Sequence, residues 1–251
     1  MRIDKYLTEK FSSRTKAADA IEKGLVLVNG KIVTPSYNVR EGDDITFVEA
    51  ENYVSRGGFK LSKAVNDFGL DFKGKVFVDV GASNGGFTDC LFRNGASKVY
   101  CIDVGESQLD ASLRQKNVVI YDNFNARNLT PDMFGERPDG AVIDVSFISL
   151  TYILGAVASV IGEGGEIIAL IKPQFECDSR SVGKNGIVKG ADKHKKIIAK
   201  IYDFAVSIGL SPTGLTTAPI VQGKNIEYLI RLTKGGQKIL QINDLIKYAK
   251  L

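Results

Sequence analysis

Lys75-Val-Phe-Val-Asp-Val-Gly-Ala-Ser-Asn-Gly-Gly-Phe-Thr-Asp-Cys-Leu91 is the stretch on which the rest of the chain turns. Val76 to Val80 form a short β-branched and aromatic run, followed by Gly81, Gly85 and Gly86 and the start of a helix. The glycines permit a tight turn and a close backbone approach that larger residues would block. Such a turn predicts a ligand. A helix N-terminus exposes unpaired N–H groups at the positive end of its dipole, so a carboxylate fits above Gly85, Gly86, Phe87 and Thr88. The spacing is not the dinucleotide fingerprint, because Ser83 stands where the second glycine of G-x-G-x-x-G would fall, and Asp79 lies just ahead of Gly81. That pattern suits a nucleoside carrying an amino acid better than a pyrophosphate. An ordinary corner of a doubly wound sheet has the same outline, so the flanking residues must decide.

Downstream, Lys98 to Asp103, Asn117 to Tyr121, Asp139 to Asp144 and Gly165 to Ile171 are short apolar runs separated by helical segments, which predicts βαβ units in a parallel sheet. Thr213 to Ile220 and Ile226 to Leu232 flank the loop Val221-Gln-Gly-Lys-Asn225 and predict an antiparallel edge hairpin. Seven strands with this ending point to the α/β fold of a class I methyltransferase, a Rossmann-like sheet with an antiparallel last strand. Ligands of open α/β sheets sit beyond the carboxyl ends of the strands. Asp103 is placed there to accept from both ribose hydroxyls, and Asp122, Asn123 and Asn125 to read an adenine edge. Together with the glycine turn they describe an adenosyl site. Asp144 and Lys172 end two further strands.

Upstream, Ile3, Tyr6, Leu7 and Phe11 recur at helical spacing, Ser12 or Ser13 is placed to cap a second helix, and Ala17, Ala18 and Ile21 extend an apolar face until Gly24. Leu25 to Val33 is a hairpin around Asn29-Gly30, and Asp44 to Val48 is a further strand. Residues 1–50 carry eight Lys or Arg and eight Asp or Glu, a net charge near zero. Segregation is what makes a surface: Lys5, Lys10, Arg14, Lys16 and Lys23 lie in the helical half, and Glu41, Asp43, Asp44 and Glu49 beyond the hairpin. Arg2-x-Asp4-x-x-Leu7, Ser13-Arg14-x-x-Ala17 and Ile21-x-x-Gly24-x-Val26-x-Val28-Asn29-Gly30 resemble the S4 RNA-binding domain nearly end to end. The resemblance implies that Arg2, Lys5, Lys10, Arg14, Lys16 and Lys23 face structured RNA, touching phosphates and shape more than base edges.

The rest of the chain resembles the TlyA-type ribosomal RNA 2'-O-methyltransferases, relatives of the FtsJ/RrmJ class that are often labelled hemolysins. The motifs are Val54-Ser-Arg-Gly-Gly-Phe-Lys60-Leu, Asp79 to Thr88, Asn125-Ala-Arg127, Asp144-Val-Ser-Phe-Ile-Ser149, Ile171-Lys172-Pro-Gln-Phe-Glu176 and Gly223-Lys-Asn-Ile-Glu227. The resemblance implies S-adenosylmethionine as cofactor, cytidine in ribosomal RNA or ribosomal subunits as target, and a Lys-Asp-Lys-Glu tetrad matched by Lys60, Asp144, Lys172 and Glu227. An S4-like domain at 1–50, a linker at 51–57 and a methyltransferase domain at 58–251 are expected, with Arg56 adding to the RNA surface. Lys60 is expected in the first turn of a helix running to Phe68. In the expected chemistry Lys172, with a lowered pKa, takes or steers the 2'-hydroxyl proton. Asp144 orients it, Lys60 stabilises the alkoxide or an adjacent phosphate, and Glu227 holds the ribose or Lys60. A basic loop and helix, with Lys184, Lys189, Lys193, Lys195 and Lys196, either extends the RNA footprint or is a solvated face.

The 251 residues allow one large or two unequal domains, with 44% hydrophobic and 25% charged residues and a net charge of +4. Met1 to Lys10 shows no signal pattern, and the longest apolar stretch, Tyr152 to Ile161, is about half of a membrane span, so a cytoplasmic protein without a membrane partner is expected. Cys90, Cys101 and Cys177 have no C-x-x-C spacing and His194 is the single histidine, which leaves no disulfide framework or metal site to expect. The competing functions are a membrane-lysing protein, a catalytically inactive ribosome-assembly factor and a nicotinamide oxidoreductase. Oligomeric state is not legible.

Overall fold

The computed structural model describes residues 1–22, 24–47, 53–106, 108–183, 185–221, 223–236 and 240–248. Lys23, Val48, Glu49, Lys184 and Gln222, and residues 50–52 of the expected domain junction, lie outside the described residues.

The amino-terminal module places α1 (Ile3–Tyr6) and α2 (Arg14–Glu22) over a small antiparallel sheet of β1 (Val26–Val28), β2 (Lys31–Ile32) and β3 (Ile45–Phe47), with β1 central. Ser13 caps α2, its Oγ accepting from the Lys16 amide at 3.1 Å. Asn29 and Gly30 both take positive φ, 51° and 70°, which is what a two-residue hairpin turn requires. Ile3, Leu7, Ala17, Ile21, Val26 and Val28 form its core.

The larger unit begins with α3 (Arg56–Phe68) and continues through β4 (Val76–Val80), α4 (Gly86–Arg93), β5 (Lys98–Ile102), α5 (Ala111–Arg114), β6 (Val118–Tyr121) and β7 (Gly140–Ile143). After these come α6 (Leu154–Val160), β8 (Glu166–Ile171), α7 (Pro173–Glu176), α8 (Ala191–Ser207), β9 (Leu210–Thr217), β10 (Tyr228–Lys234) and α9 (Ile242–Tyr248). The seven strands lie in the order β6-β5-β4-β7-β8-β10-β9. Strands β4 to β8 pair in parallel, whereas β10 runs antiparallel to both β8 and β9. The order winds outward in both directions from β4, so the switch point, where loops diverge and leave a crevice, lies between β4 and β7. Alternation along the strands builds two apolar layers. Val78, Val80, Ile143 and Ile171 face one side with α6 and α8, and Phe77, Val142 and Leu170 face the other with α3 and α4. Among the described residues no helix is long and apolar enough to cross a membrane.

Two sequence expectations shift. Helix α3 starts at Arg56, capped by Ser55, whose Oγ accepts from the Gly57 amide. Lys60 is therefore in the second turn, because the Gly57-Gly58 pair is accommodated inside the helix instead of delaying it. The edge hairpin also sits differently. Strand β9 starts at Leu210 and runs through Pro212, a residue that a central strand would exclude but an edge strand tolerates, at a register shift opposite Arg231 and Leu232.

Gly58 lets the first turn of α3 lie close against Tyr53. A Cβ there would overlap the ring of Tyr53, which is 3% exposed and packs edge-on to Phe59. Gly58→Ala is expected to cost about 1–3 kcal/mol by overpacking, seen as a lower urea midpoint at unchanged m-value. An unchanged midpoint would mean that Tyr53 is not fixed against α3.

Candidate active site

The four charged residues expected to carry the chemistry converge from four separate elements. Lys60 projects from α3, Asp144 follows β7, Lys172 follows β8 and Glu227 precedes β10. The antiparallel course of β10 is what delivers Glu227, since it pairs Tyr228 with Ile171 and so puts the start of β10 beside the end of β8. Lys60 Nζ lies 2.8 Å from Glu227 Oε2 and 3.6 Å from Asp144 Oδ2, and Lys172 Nζ lies 2.7 Å from Asp144 Oδ1. The charges alternate along a chain, Glu227–Lys60–Asp144–Lys172, with all four side chains 11–22% exposed. Burial pulls the Lys60 ammonium toward lower pKa, but the carboxylates of Asp144 and Glu227 outweigh it and hold Lys60 above the usual lysine value.

This chain separates two sets of cavities. A cavity of about 240 Å³ opens beyond β4, β5 and β7, and Gly81, Ser83, Asp103 and Asn125 line it with Asp144. A second, of about 210 Å³, is lined by Ser83, Gly86, Phe87, Asp144, Ser146 and Lys172. On the other side Lys60 and Glu227 line a cavity of about 490 Å³, together with Arg56, Asn84 and Gln174. Asp103 directly follows β5, its two oxygens accepting from the amides of Ser83 (2.8 Å) and Gly105 (2.9 Å). Asn125 caps a 3-10 turn, its Oδ1 accepting from the Arg127 amide at 3.1 Å. Asp122 and Asn123 are exposed and stand outside the walls of these cavities.

Asp79, Gly85 and Thr88 lie behind the cavity wall. Parity along β4 turns Asp79 toward α4, on the side of Phe77. Asp79 is fully buried, and its Oδ2 accepts from Thr88 Oγ1 at 2.6 Å while Oδ1 has no hydrogen-bond partner among the described residues. Burial pushes its carboxyl up to about 7, with the Asp144 and Asp103 charges adding to the shift against the Thr88 hydrogen bonds. The glycines let protein approach protein: a Cβ at Gly81 would meet the Asp144 carbonyl at 2.5 Å, and one at Gly86 would overlap Ser55 and Gly57 at the start of α3.

Three residues within the quoted motifs gain partners that the sequence did not assign. Ser146 accepts from Lys172 Nζ at 2.8 Å. Glu176, nearly inaccessible, accepts from Ser149 Oγ (2.5 Å) and the Leu150 amide (2.7 Å), tying the loop after Asp144 to the segment after Lys172. Phe147 is 91% exposed with φ of 65° and leans on Phe175, with 5.0 Å between centroids. Their signal lay in those motifs, but only the fold showed which members touch.

In the amino-terminal module Arg2 and Arg14 both reach buried Asp4, at 2.8 Å and 3.0 Å. Burial raises the Asp4 carboxyl, but the two guanidiniums outweigh it and hold it below the ordinary value. Lys5, Lys10 and Lys16 are exposed, and Lys10 Nζ sits 3.6 Å above the Phe47 ring.

A sheet in this order, with β10 reversed and its site at the ends of β4, β5, β7 and β8, defines a class I methyltransferase fold. The FtsJ-like methyltransferase family matches residues 53–234 and the S4 domain family residues 1–45. Hemolysin A of Brachyspira hyodysenteriae is 41% identical over 91% of this chain and 98% of its own. The 16S/23S rRNA (cytidine-2'-O)-methyltransferase TlyA of Mycobacterium tuberculosis is 35% identical over 93% of this chain and 89% of its own. A solved structure of a protein described as a hemolysin from Streptococcus thermophilus is 38% identical, with TM-score 0.75 over 98% of this chain and 94% of its own. The chain belongs to the FtsJ-like methyltransferase family, in its TlyA-type branch with an S4 domain in front.

The Asp79 carboxyl gives a pH signature. Its folded pKa of about 7 exceeds the unfolded value of 3.8, so the native state takes up a proton first. Stability is gained as pH falls below 7, is complete near 4, and is lost as pH rises through 7. Unfolding free energies from urea titrations at pH 8 to pH 5 are expected to rise by up to about 1.4 kcal/mol per pH unit below 7, with Asp79→Asn flattening the slope. An identical slope in both proteins would refute the shift.

Proposed function

We propose that this protein transfers a methyl group from S-adenosylmethionine to the 2'-hydroxyl of a ribose, that of a cytidine, in ribosomal RNA. The observation that carries this is the alternating chain Glu227–Lys60–Asp144–Lys172 set between a cavity sized for an adenosyl group and a larger one open to a nucleotide. The relative named for 16S/23S rRNA cytidine-2'-O-methylation, alike over nearly the whole chain, supports the substrate.

The residues present suit the cofactor. Asp103 offers a carboxylate to ribose hydroxyls, Asn125 a carboxamide to the adenine, and the segment from Gly81 to Phe87 the amides for the amino-acid end. When bound, S-adenosylmethionine supplies an electrophilic methyl group and its own leaving group. Lys172 has one contact to Asp144 and one to Ser146, which leaves a third direction on its nitrogen for the acceptor hydroxyl. From there it takes or steers the hydroxyl proton, with Asp144 orienting its nitrogen. Lys60, kept cationic by its two carboxylates, is suited to an anionic oxygen or phosphate and not to the role of base. Glu227 fixes Lys60 and faces the same cavity, where it orients the ribose. Arg56 and the S4-like module with Arg2, Lys5, Lys10, Arg14 and Lys16 bring the RNA, Asp4 setting the two arginines side by side.

Tritiated methyl incorporation from labelled cofactor into 16S and 23S RNA tests this. Lys172→Ala and Asp144→Ala are expected to lose about 10²–10⁴-fold in rate while still binding S-adenosylmethionine. Near-normal activity of a folded Lys172→Ala protein would sink the mechanism. Mapping of 2'-O-methylation in RNA from cells with and without the protein names the nucleotide.

A further inference from the structure

The basic stretch around α8 takes no part in this chemistry. The inner face of α8, with His194, Ile197, Ile198, Ile201 and Ala205, is buried. Helical geometry puts Lys193, Lys196 and Lys200 on one flank, three and four residues apart. Like charges at that spacing repel, so the stripe opposes the helix that carries it. Lys200 is compensated, with Nζ 3.3 Å from Glu176 Oε2 and donating to the Glu176 carbonyl at 2.9 Å. Lys189, Lys193, Lys195, Lys196 and Lys224 are exposed and have no ion pair among the described residues. Elsewhere Lys63, Lys98 and Lys247 each meet a carboxylate. Asp192 stands four residues before Lys196, the favourable order, and still makes no pair with it.

The stripe is also continuous with the acceptor side of the active site. Lys224 lines the cavity of about 490 Å³ that holds Lys60 and Glu227, and with Lys189 it lines a neighbouring depression of about 270 Å³. Lys193, Lys196 and Lys200 line the next, of about 340 Å³, whose wall also carries Glu176 and Asp178. We infer that Lys224, Lys189, Lys193 and Lys196 form a second RNA contact, a track that holds the backbone phosphates of the strand leaving the acceptor cavity. This rests on the ribosomal RNA assignment made above. Uncompensated lysines on a regular flank act as point charges for phosphates, which position the RNA without reading its sequence.

The test compares the full-length wild type with a K189Q/K193Q/K196Q variant in filter binding to 16S and 23S RNA transcripts across salt concentrations. The slope of log affinity against log salt is expected to shrink by about 2–3, from three lost contacts at roughly 0.7–0.9 each. KM for RNA should rise while affinity for S-adenosylmethionine is kept, and the K189R/K193R/K196R variant should restore the slope. An unchanged slope in the glutamine variant overturns the contact, as does an equal loss in the arginine variant. Loss of binding to ribosomal subunits with unchanged binding to naked RNA points to a ribosomal protein and overturns it too. Wild-type protein that neither binds nor methylates ribosomal RNA overturns the functional assignment itself, and the track with it.

Discussion

Two lysines and two carboxylates, each more than three-quarters buried, stand in contact at one end of the large sheet, and they persist there because their charges alternate. Removing any one member would leave a neighbour uncompensated in a partly desolvated place, which is far costlier than an exposed pair would suggest. The architecture is arranged to make that alternation possible. Parallel β7 and β8 bring Asp144 and Lys172 to adjacent strand ends, reversed β10 brings Glu227 to meet them, and α3 lays Lys60 across the group. The rim of the site is braced a second time through Glu176, which binds the loop after Asp144 to the segment after Lys172.

The glycine turn after β4 serves this arrangement as much as it serves a cofactor. Gly81 lets the ends of β4 and β7 approach, and Gly86 lets the start of α4 lie against the start of α3. Two helix N-termini therefore meet beside the cavity that Lys172 and Asp144 also line. Asp79 stands behind them, holding Thr88 with one oxygen, a buried acid whose charge depends on pH near neutrality.

The N-terminal module follows the same logic of one buried acid ordering exposed cations. Asp4, 3% exposed, receives both Arg2, which precedes α1, and Arg14, which begins α2. Two long side chains are thereby held in one place, so less of their freedom remains to be lost when phosphates are bound. The module also meets the larger unit directly, since Ile32 bridges to Val221 and lines the acceptor cavity.

Much of this was legible in the order of residues. The β-branched runs, the glycine turn and the strand-end polar residues determine a Rossmann-like sheet, and Asn29-Gly30 determines the hairpin, because each depends on chain-local periodicity and backbone freedom. The motifs likewise marked Lys60, Asp144, Lys172 and Glu227, and these do converge. The start of α3 and the course of β9 through Pro212 were not legible, since helix entry was decided by the Ser55 cap and strand tolerance by edge position. Only the tertiary structure separated Asp103 and Asn125, in the cavity wall, from Asp79 and Thr88 behind it and from Asp122 and Asn123 outside it. The physical reason is that a sequence states which groups sit at a strand end, whereas the direction of each side chain depends on pleat parity and on the elements packed against it.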